Sequence, residues 1–131
     1  MQKSDAVASL LLFAEDERLI LDMLEGALRD AGFDVVCAGD GEGAMKEIEE
    51  DVSRFGAIIT DAHLGAGPDG WEVVRRAREL APSLPVIYIT GAGAAEWASQ
   101  GVPNSVLITK PFVPAQVITA IAGLLNQSDV C

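Results

Sequence analysis

The sequence has few cysteines and no long apolar run. Cys37 and Cys131 are the only cysteines, and Cys131 is the last residue. Cys37 lies in an apolar run and is interpreted as a small buried residue, so a structural disulfide is not expected. The absence of a disulfide is typical of a protein in a reducing cytoplasm. Because no stretch of about 18 apolar residues occurs, no membrane-spanning helix is predicted, and the N-terminus does not resemble a signal peptide.

Basic residues are also scarce. Nine Lys and Arg oppose 20 Asp and Glu, which gives a net charge of −11. Binding to DNA or RNA requires clustered cations that neutralise phosphates, so nucleic acid is not an expected partner. Most of the acidity is interpreted as a contribution to solubility. With 131 residues, half of them hydrophobic, we expect one domain over residues 1–131, with its core at about 9–125.

Short apolar runs alternate with segments of helical periodicity. The runs occupy residues 10–14, 33–38, 57–60, 85–89 and 105–109. Continuous apolar runs are typical of parallel strands that are covered on both faces. The alternation therefore predicts an α/β fold with five parallel strands and helices on both faces of the sheet.

The helical segments carry recognisable boundaries. Gly32 predicts the end of the first helix, and Asp40 is predicted to cap the second. Asp69 followed by Glu72 is the pattern of a capping box. The segment 91–100 is short and rich in Gly and Ala, so its pattern favours a helix only weakly. One apolar face is predicted for the first helix, formed by Ile20, Met23, Leu24, Ala27, Leu28 and Ala31.

Charged residues follow three of the predicted strands. Glu15 and Asp16 end the first strand, Asp61 ends the third, and Lys110 ends the fifth. Ligands of open α/β sheets bind at the carboxyl ends of the strands, so these side chains are expected at one edge. Three neighbouring carboxylates repel one another, and a divalent cation relieves that repulsion. The pattern predicts a site that binds a divalent metal and handles phosphate.

Four motifs occur in order at the predicted strand ends. They are the acidic triplet 15–17, Asp61, Thr90 with Gly91, and the segment 109–112. From about residue 10 to residue 125, the chain resembles the receiver domain of bacterial two-component response regulators. The resemblance implies a flavodoxin-like, doubly wound fold with strand order 2-1-3-4-5.

The resemblance also implies a metal site. Glu15 and Asp16 match the acidic pair that holds Mg²⁺, together with Asp61. The backbone carbonyl of His63 matches the remaining protein ligand. Magnesium prefers oxygen ligands and keeps several waters, which suits a small, open acidic cluster.

Three residues match those that handle the phosphoryl group in the family. Asp61 matches the aspartate that accepts a phosphoryl group from a histidine kinase or a phosphotransfer protein. Thr90 matches the hydroxyl residue that bonds the phosphate, and Lys110 matches the lysine that pairs with a phosphate oxygen. Lys110 and Pro111 match a peptide bond that is cis in the family.

A signalling role is implied rather than that of an enzyme with a separate substrate. Such a domain catalyses only its own phosphorylation and dephosphorylation, and phosphorylation changes its binding to a downstream target protein. The surface of the fourth helix, the fifth strand and the last helix is the implied contact face and a possible homodimer interface. The implied location is cytoplasmic.

Two positions differ from the common family pattern. Leu107 stands where receivers usually carry Phe or Tyr, and Trp97 is interpreted as a packing residue rather than a replacement. Gly65 stands where proline is frequent, a difference explained equally well by unusual backbone angles or by altered access to the phosphate. The His63 side chain is interpreted as a solvated loop residue in preference to one that tunes phosphoryl hydrolysis.

Other functions remain open from the sequence. The chain could be a receiver excised from a hybrid histidine kinase instead of a separate regulator. A phosphatase with an aspartyl nucleophile needs a second aspartate two residues after the first, and that position is His63 here. A degenerate receiver that only binds partners is disfavoured by the complete set of acids, threonine and lysine.

Overall fold

The computed structural model describes residues 10–91 and 94–129. The strands in these ranges are β1 (Leu10–Ala14), β2 (Asp34–Ala38), β3 (Ala57–Asp61), β4 (Val86–Thr90) and β5 (Ser105–Thr109). The helices are α1 (Arg18–Asp30), α2 (Gly41–Asp51), α3 (Gly70–Leu80), α4 (Trp97–Gln100) and α5 (Pro114–Asp129). Short 3₁₀ turns occur at Val52–Arg54 and Ala94–Glu96.

The strands form one parallel sheet in the order β2-β1-β3-β4-β5. This order and the flanking helices confirm the predicted flavodoxin-like, doubly wound α/β fold. Every residue of β3 and β4 is buried. Their burial on both faces explains why these strands are almost continuously apolar in sequence.

The core consists of two layers, because successive strand side chains point to opposite faces of the sheet. Helices α1 and α5 pack on one face, and α2 and α3 pack on the other. Fully buried helical residues of the first layer are Leu24, Leu28, Val117 and Ile121. Those of the second layer are Ala44, Val73, Val74 and Ala77.

Three of the predicted helix boundaries are confirmed. The Asp40 side chain accepts a hydrogen bond from Gly43 N at 2.8 Å at the start of α2. Asp69 and Glu72 form the predicted capping box at the start of α3, with distances of 2.9 and 3.2 Å. Gly32 has φ 101°, a left-handed conformation that suits glycine beyond a helix C-terminus.

The predicted apolar face of α1 is partly wrong. Met23 is 44% exposed and Ile20 is only half-buried, whereas Leu21 is buried beside Leu24 and Leu28. The helix is rotated so that Leu21 points to the core. The sequence of α1 is compatible with two overlapping apolar faces. Packing against the sheet buries the face that contains Leu21, Leu24 and Leu28.

Other boundaries differ in smaller ways. The helix predicted for residues 91–100 is reduced to a 3₁₀ turn and the single turn of α4, and residues 92 and 93 lie outside the described ranges.

Cys37 is only partly buried, and its thiol is free. Cys131 and the first nine residues lie outside the described ranges. The expectation of no disulfide depends in part on Cys131, and the expectation of no signal peptide depends on the first nine residues. Within those ranges no helix has the length and apolarity to cross a membrane.

Candidate functional site

Three carboxylates meet at the carboxyl edge of the sheet. Glu15 and Asp16 directly follow β1, and Asp61 is the last residue of the adjacent strand β3. One oxygen from each carboxylate lies within 4.8 Å of the others. Glu15 and Asp61 are buried, whereas Asp16 is exposed and marks the solvent side of the cluster. The structure therefore brings together the three side chains that the sequence predicts at one site.

Lys110 faces this cluster from the end of β5. Its Nζ donates a hydrogen bond to Asp61 Oδ2 at 2.8 Å and lies 3.5 Å from Glu15 Oε2. Burial alone would lower the pKa of the Lys110 ammonium, but the bond to Asp61 and the charges of the surrounding carboxylates raise it above its usual value. The lysine is therefore held as a cation beside Asp61. The Lys110-Pro111 peptide bond is cis, as the resemblance implies.

Thr90 completes the same edge. It is the last residue of β4 and is fully buried. Its carbonyl oxygen accepts a hydrogen bond from Lys110 N at 2.9 Å, which fixes the end of β4 against the loop that carries the lysine. The structure thus places Thr90 between the strands that supply Asp61 and Lys110.

His63 contacts Asp61 through its backbone. The His63 N–H donates to Asp61 Oδ1 at 3.0 Å, so both oxygens of the Asp61 carboxylate accept hydrogen bonds. The imidazole turns to Glu96, with Nε2 3.4 Å from Glu96 Oε1. No contact in the described residues fixes the direction of the His63 carbonyl, so its role as a metal ligand stays a prediction.

The buried oxygens of Glu15 test whether the site suits a cation. Oε2 accepts a hydrogen bond from Glu17 N at 3.1 Å, whereas Oε1 is buried without a hydrogen-bond partner among the described residues. Burial, opposed by the Glu17 N–H and reinforced by Asp61, raises the pKa of Glu15 to about 7. A buried carboxylate oxygen without a donor, grouped with two further carboxylates, fits a hard cation such as Mg²⁺.

The raised pKa of Glu15 predicts pH-dependent metal affinity. Around neutral pH, a bound Mg²⁺ would have to displace a proton from Glu15, so its apparent affinity should fall about tenfold between about pH 8 and pH 6. Because the pKa of Glu15 is raised from 4.5 to about 7 in the folded protein, its protonation contributes to the stability of the metal-free protein at low pH. This contribution to the free energy of unfolding is lost as the pH rises through about 7. Calorimetric titration with Mg²⁺ at several pH values measures the effect. Glu15→Gln should bind more weakly with a flatter pH profile, and an unchanged slope in this variant would refute the assignment.

Glycines shape the loop between β3 and α3. Gly65 and Gly67 have φ values of 78° and 88°, which L side chains rarely adopt. The departure from proline at position 65 thus has a sufficient backbone explanation. A Cβ on Gly70 would lie 2.0 Å from the carbonyl oxygen of Asp61, so the start of α3 rests directly on the end of β3.

Two acidic side chains escaped prediction as part of the site. Glu17 Oε1 lies 3.8 Å from Lys110 Nζ, and Glu96 pairs with His63. Glu17 is part of the acidic triplet, which is a weak signal in the sequence. Glu96 lies in a 3₁₀ turn far along the chain and gives no sequence signal for its contact with His63.

Residues 11–122 match the family model described as the response regulator receiver domain. A response regulator receiver protein from Sinorhizobium medicae is 43% identical, with TM-score 0.85 over 89% of this chain and 94% of that chain. A receiver domain of a sensor histidine kinase from Pseudomonas aeruginosa, with a magnesium ion coordinated in its active-site cleft, is 24% identical. Its TM-score is 0.78 over 90% of this chain and 98% of that chain.

A curated relative is the probable transcriptional regulatory protein TcrX from Mycobacterium tuberculosis, 29% identical over 99% of this chain and 55% of that protein. The chain spans about half the length of the curated relatives it matches. The match to the family model, the fold and the arrangement of acids and lysine agree. The chain belongs to the response regulator receiver domain family of two-component signalling.

Proposed function

We propose that Asp61 accepts a phosphoryl group from a phosphohistidine of a histidine kinase or phosphotransfer protein, and that this modification changes the binding of a downstream target. The observation that carries the proposal is the Asp61 carboxylate itself. It is buried at a strand end, bonded to Lys110 at 2.8 Å and grouped with two further carboxylates. We take the chain as one receiver domain.

Asp61, Lys110 and Thr90 each have a different role in the proposed phosphoryl transfer. A carboxylate oxygen of Asp61 forms a bond to phosphorus while the phosphorus–nitrogen bond breaks, and the electron pair leaves on the imidazole nitrogen of the donor. Lys110 supplies positive charge to one phosphoryl oxygen, and the Thr90 hydroxyl donates to another. Positioning and neutralisation of charge account for most of the catalysis of such a transfer.

The proposed metal ligands are Glu15, Asp16, Asp61 and the backbone carbonyl of His63. Bound Mg²⁺ would neutralise charge that develops on the phosphoryl oxygens. The unpartnered buried oxygen of Glu15 supports this assignment, as does the magnesium ion in the Pseudomonas structure of the same fold. Asp16, which is exposed, leaves the site open to the donor.

The proposed output is a population shift. Phosphorylation biases two conformations only by the difference between the contacts that the phosphoryl group makes in each. A bias of about 2–3 kcal/mol changes the equilibrium constant about 30- to 150-fold. The curated relatives are about twice as long, and their names describe transcriptional regulators. The proposal for this chain therefore names the class of target, a partner protein, and no individual target or output.

An aspartyl-nucleophile phosphatase is a weaker candidate. His63 occupies the position where that chemistry needs a second aspartate, and its imidazole is paired with Glu96. Turnover of p-nitrophenyl phosphate without an accumulating phosphoprotein would favour the phosphatase.

The proposal is tested by intact mass spectrometry after incubation with acetyl phosphate. The protein should gain the mass of one phosphoryl group in the presence of Mg²⁺. It should gain no mass when EDTA is added beforehand. Fragmentation should locate the group on Asp61. A protein that remains unmodified under conditions that phosphorylate a control receiver would contradict the proposal.

A further inference from the structure

The His63 imidazole bridges the segments that follow two neighbouring strands. His63 lies in the loop after β3, and Glu96 lies in the 3₁₀ turn after β4. Their side chains approach to 3.4 Å, and each is 50% exposed. Solvent screens the attraction within such an exposed pair, so the pair adds little to the stability of the fold. A competing partner of higher charge can therefore separate the two side chains.

The phosphoryl group on Asp61 is such a competitor. The backbone of His63 is already held on Asp61 by the 3.0 Å bond from its N–H to Oδ1, so the residue that carries the imidazole is anchored at the carboxylate that is modified. A phosphoryl group brings a charge of about −1.5 to −2 and three acceptor oxygens, whereas Glu96 offers one carboxylate. An imidazole donates an N–H in its neutral and its protonated form, so the exchange needs no change in the protonation of His63.

We infer that His63 is a two-position residue that pairs with Glu96 when Asp61 is unmodified and with the phosphoryl oxygens when Asp61 is phosphorylated. The inference rests on the proposed function. Its consequence is the release of the 3₁₀ turn Ala94–Glu96 on phosphorylation. Glu96 is thereby freed from the loop that follows the phosphorylation site.

The turn Ala94–Glu96 directly precedes α4, which contacts β5, so its release can alter the surface formed by α4 and β5. Trp97 follows Glu96 directly, and its indole N–H donates to Ser105 Oγ on β5 at 3.0 Å. Displacement of Glu96 therefore acts on the contact between α4 and β5. His63 and Glu96 thereby link the site to the contact between α4 and β5.

Opposite effects of the two partners distinguish this exchange from an ordinary ion pair. The probe is beryllium fluoride, a phosphoryl analogue, titrated at saturating Mg²⁺ and followed by ¹⁹F NMR. Glu96→Ala should tighten its binding about two- to fivefold, because the unmodified state loses its partner for His63. His63→Ala should weaken binding by a similar factor, while it keeps the backbone N–H and carbonyl at the site.

The matched control is Glu79→Ala, which removes an exposed carboxylate paired with Arg76 on α3. This variant should bind the analogue as the wild type does. Shifts of the same sign in Glu96→Ala and His63→Ala, or no shift in either, would overturn the inference.

A second readout uses the fact that His63 is the only histidine. Its imidazole ¹⁵N signals should move when the analogue binds. Glu96→Ala should move them in the free protein and leave them unchanged in the analogue complex. Analogue binding with an unmoved imidazole refutes this inference alone, whereas a wild-type protein that neither binds the analogue nor takes up a phosphoryl group refutes the proposed function.

Discussion

Replacement of Asp61 by asparagine is expected to abolish phosphoryl uptake. The amide keeps the shape of the side chain but removes the anionic oxygen that attacks phosphorus. The neighbouring Glu15 is a poor substitute, because it is buried and its pKa is raised to about 7. Intact mass spectrometry after treatment with acetyl phosphate and Mg²⁺ should show a phosphoryl adduct in the wild type and none in Asp61→Asn.

The control for this experiment is Asp22→Asn. Asp22 is exposed on α1 and pairs with Arg18 at 3.2 Å, so its loss should leave phosphoryl uptake unchanged. An adduct of equal yield in Asp61→Asn would show that another residue is the acceptor. That result would contradict the assignment even if the wild type is phosphorylated efficiently.

Gly70→Ala is expected to destabilise the fold strongly and to distort the site. The added Cβ would lie 2.0 Å from Asp61 O and 2.9 Å from Ala62 Cα, and both obstacles are backbone atoms. Relief of the clash requires α3 to move away from β3, which breaks the hydrogen bond from Gly70 N to Ala62 O at 2.8 Å. We expect a loss of about 3 kcal/mol in the free energy of unfolding, or a fall of about 10 °C in Tm. Differential scanning calorimetry measures it.

Gly26→Ala is the matched substitution for comparison. Gly26 lies within α1, and a Cβ there would meet nothing within 4 Å. Alanine favours helix over glycine by about 0.5–1 kcal/mol, so this variant should be slightly more stable than the wild type. Equal Tm values for Gly70→Ala and the wild type would show that α3 is not seated on the end of β3.

The sheet and the principal site were predictable from the sequence because both depend on short-range signals. Each strand is a nearly continuous apolar run, and the caps at Asp40 and Asp69 mark where helices begin. Parallel strands then bring their carboxyl ends together, so Asp61 and Lys110 meet although they are far apart in sequence. The 2.8 Å contact between them is the geometric result of that topology.

The features that escaped prediction depend on tertiary packing. The burial of Leu21 in place of Met23 follows from the rotation of α1 against the sheet, which helical periodicity does not determine. The raised pKa of Glu15 follows from its complete burial rather than from its residue type. The contact between His63 and Glu96 joins two irregular segments, and no periodic pattern encodes it.

The central claim is that Glu15, Asp16 and Asp61 together bind Mg²⁺ beside Lys110, and calorimetric titration with Mg²⁺ tests it most directly. Asp16→Asn is the decisive variant, because Asp16 is exposed and its substitution should leave the fold intact. The account predicts one Mg²⁺ per wild-type chain and an affinity at least about tenfold weaker in Asp16→Asn. Wild-type affinity in this variant, with Asp22→Asn as the control, would contradict the account.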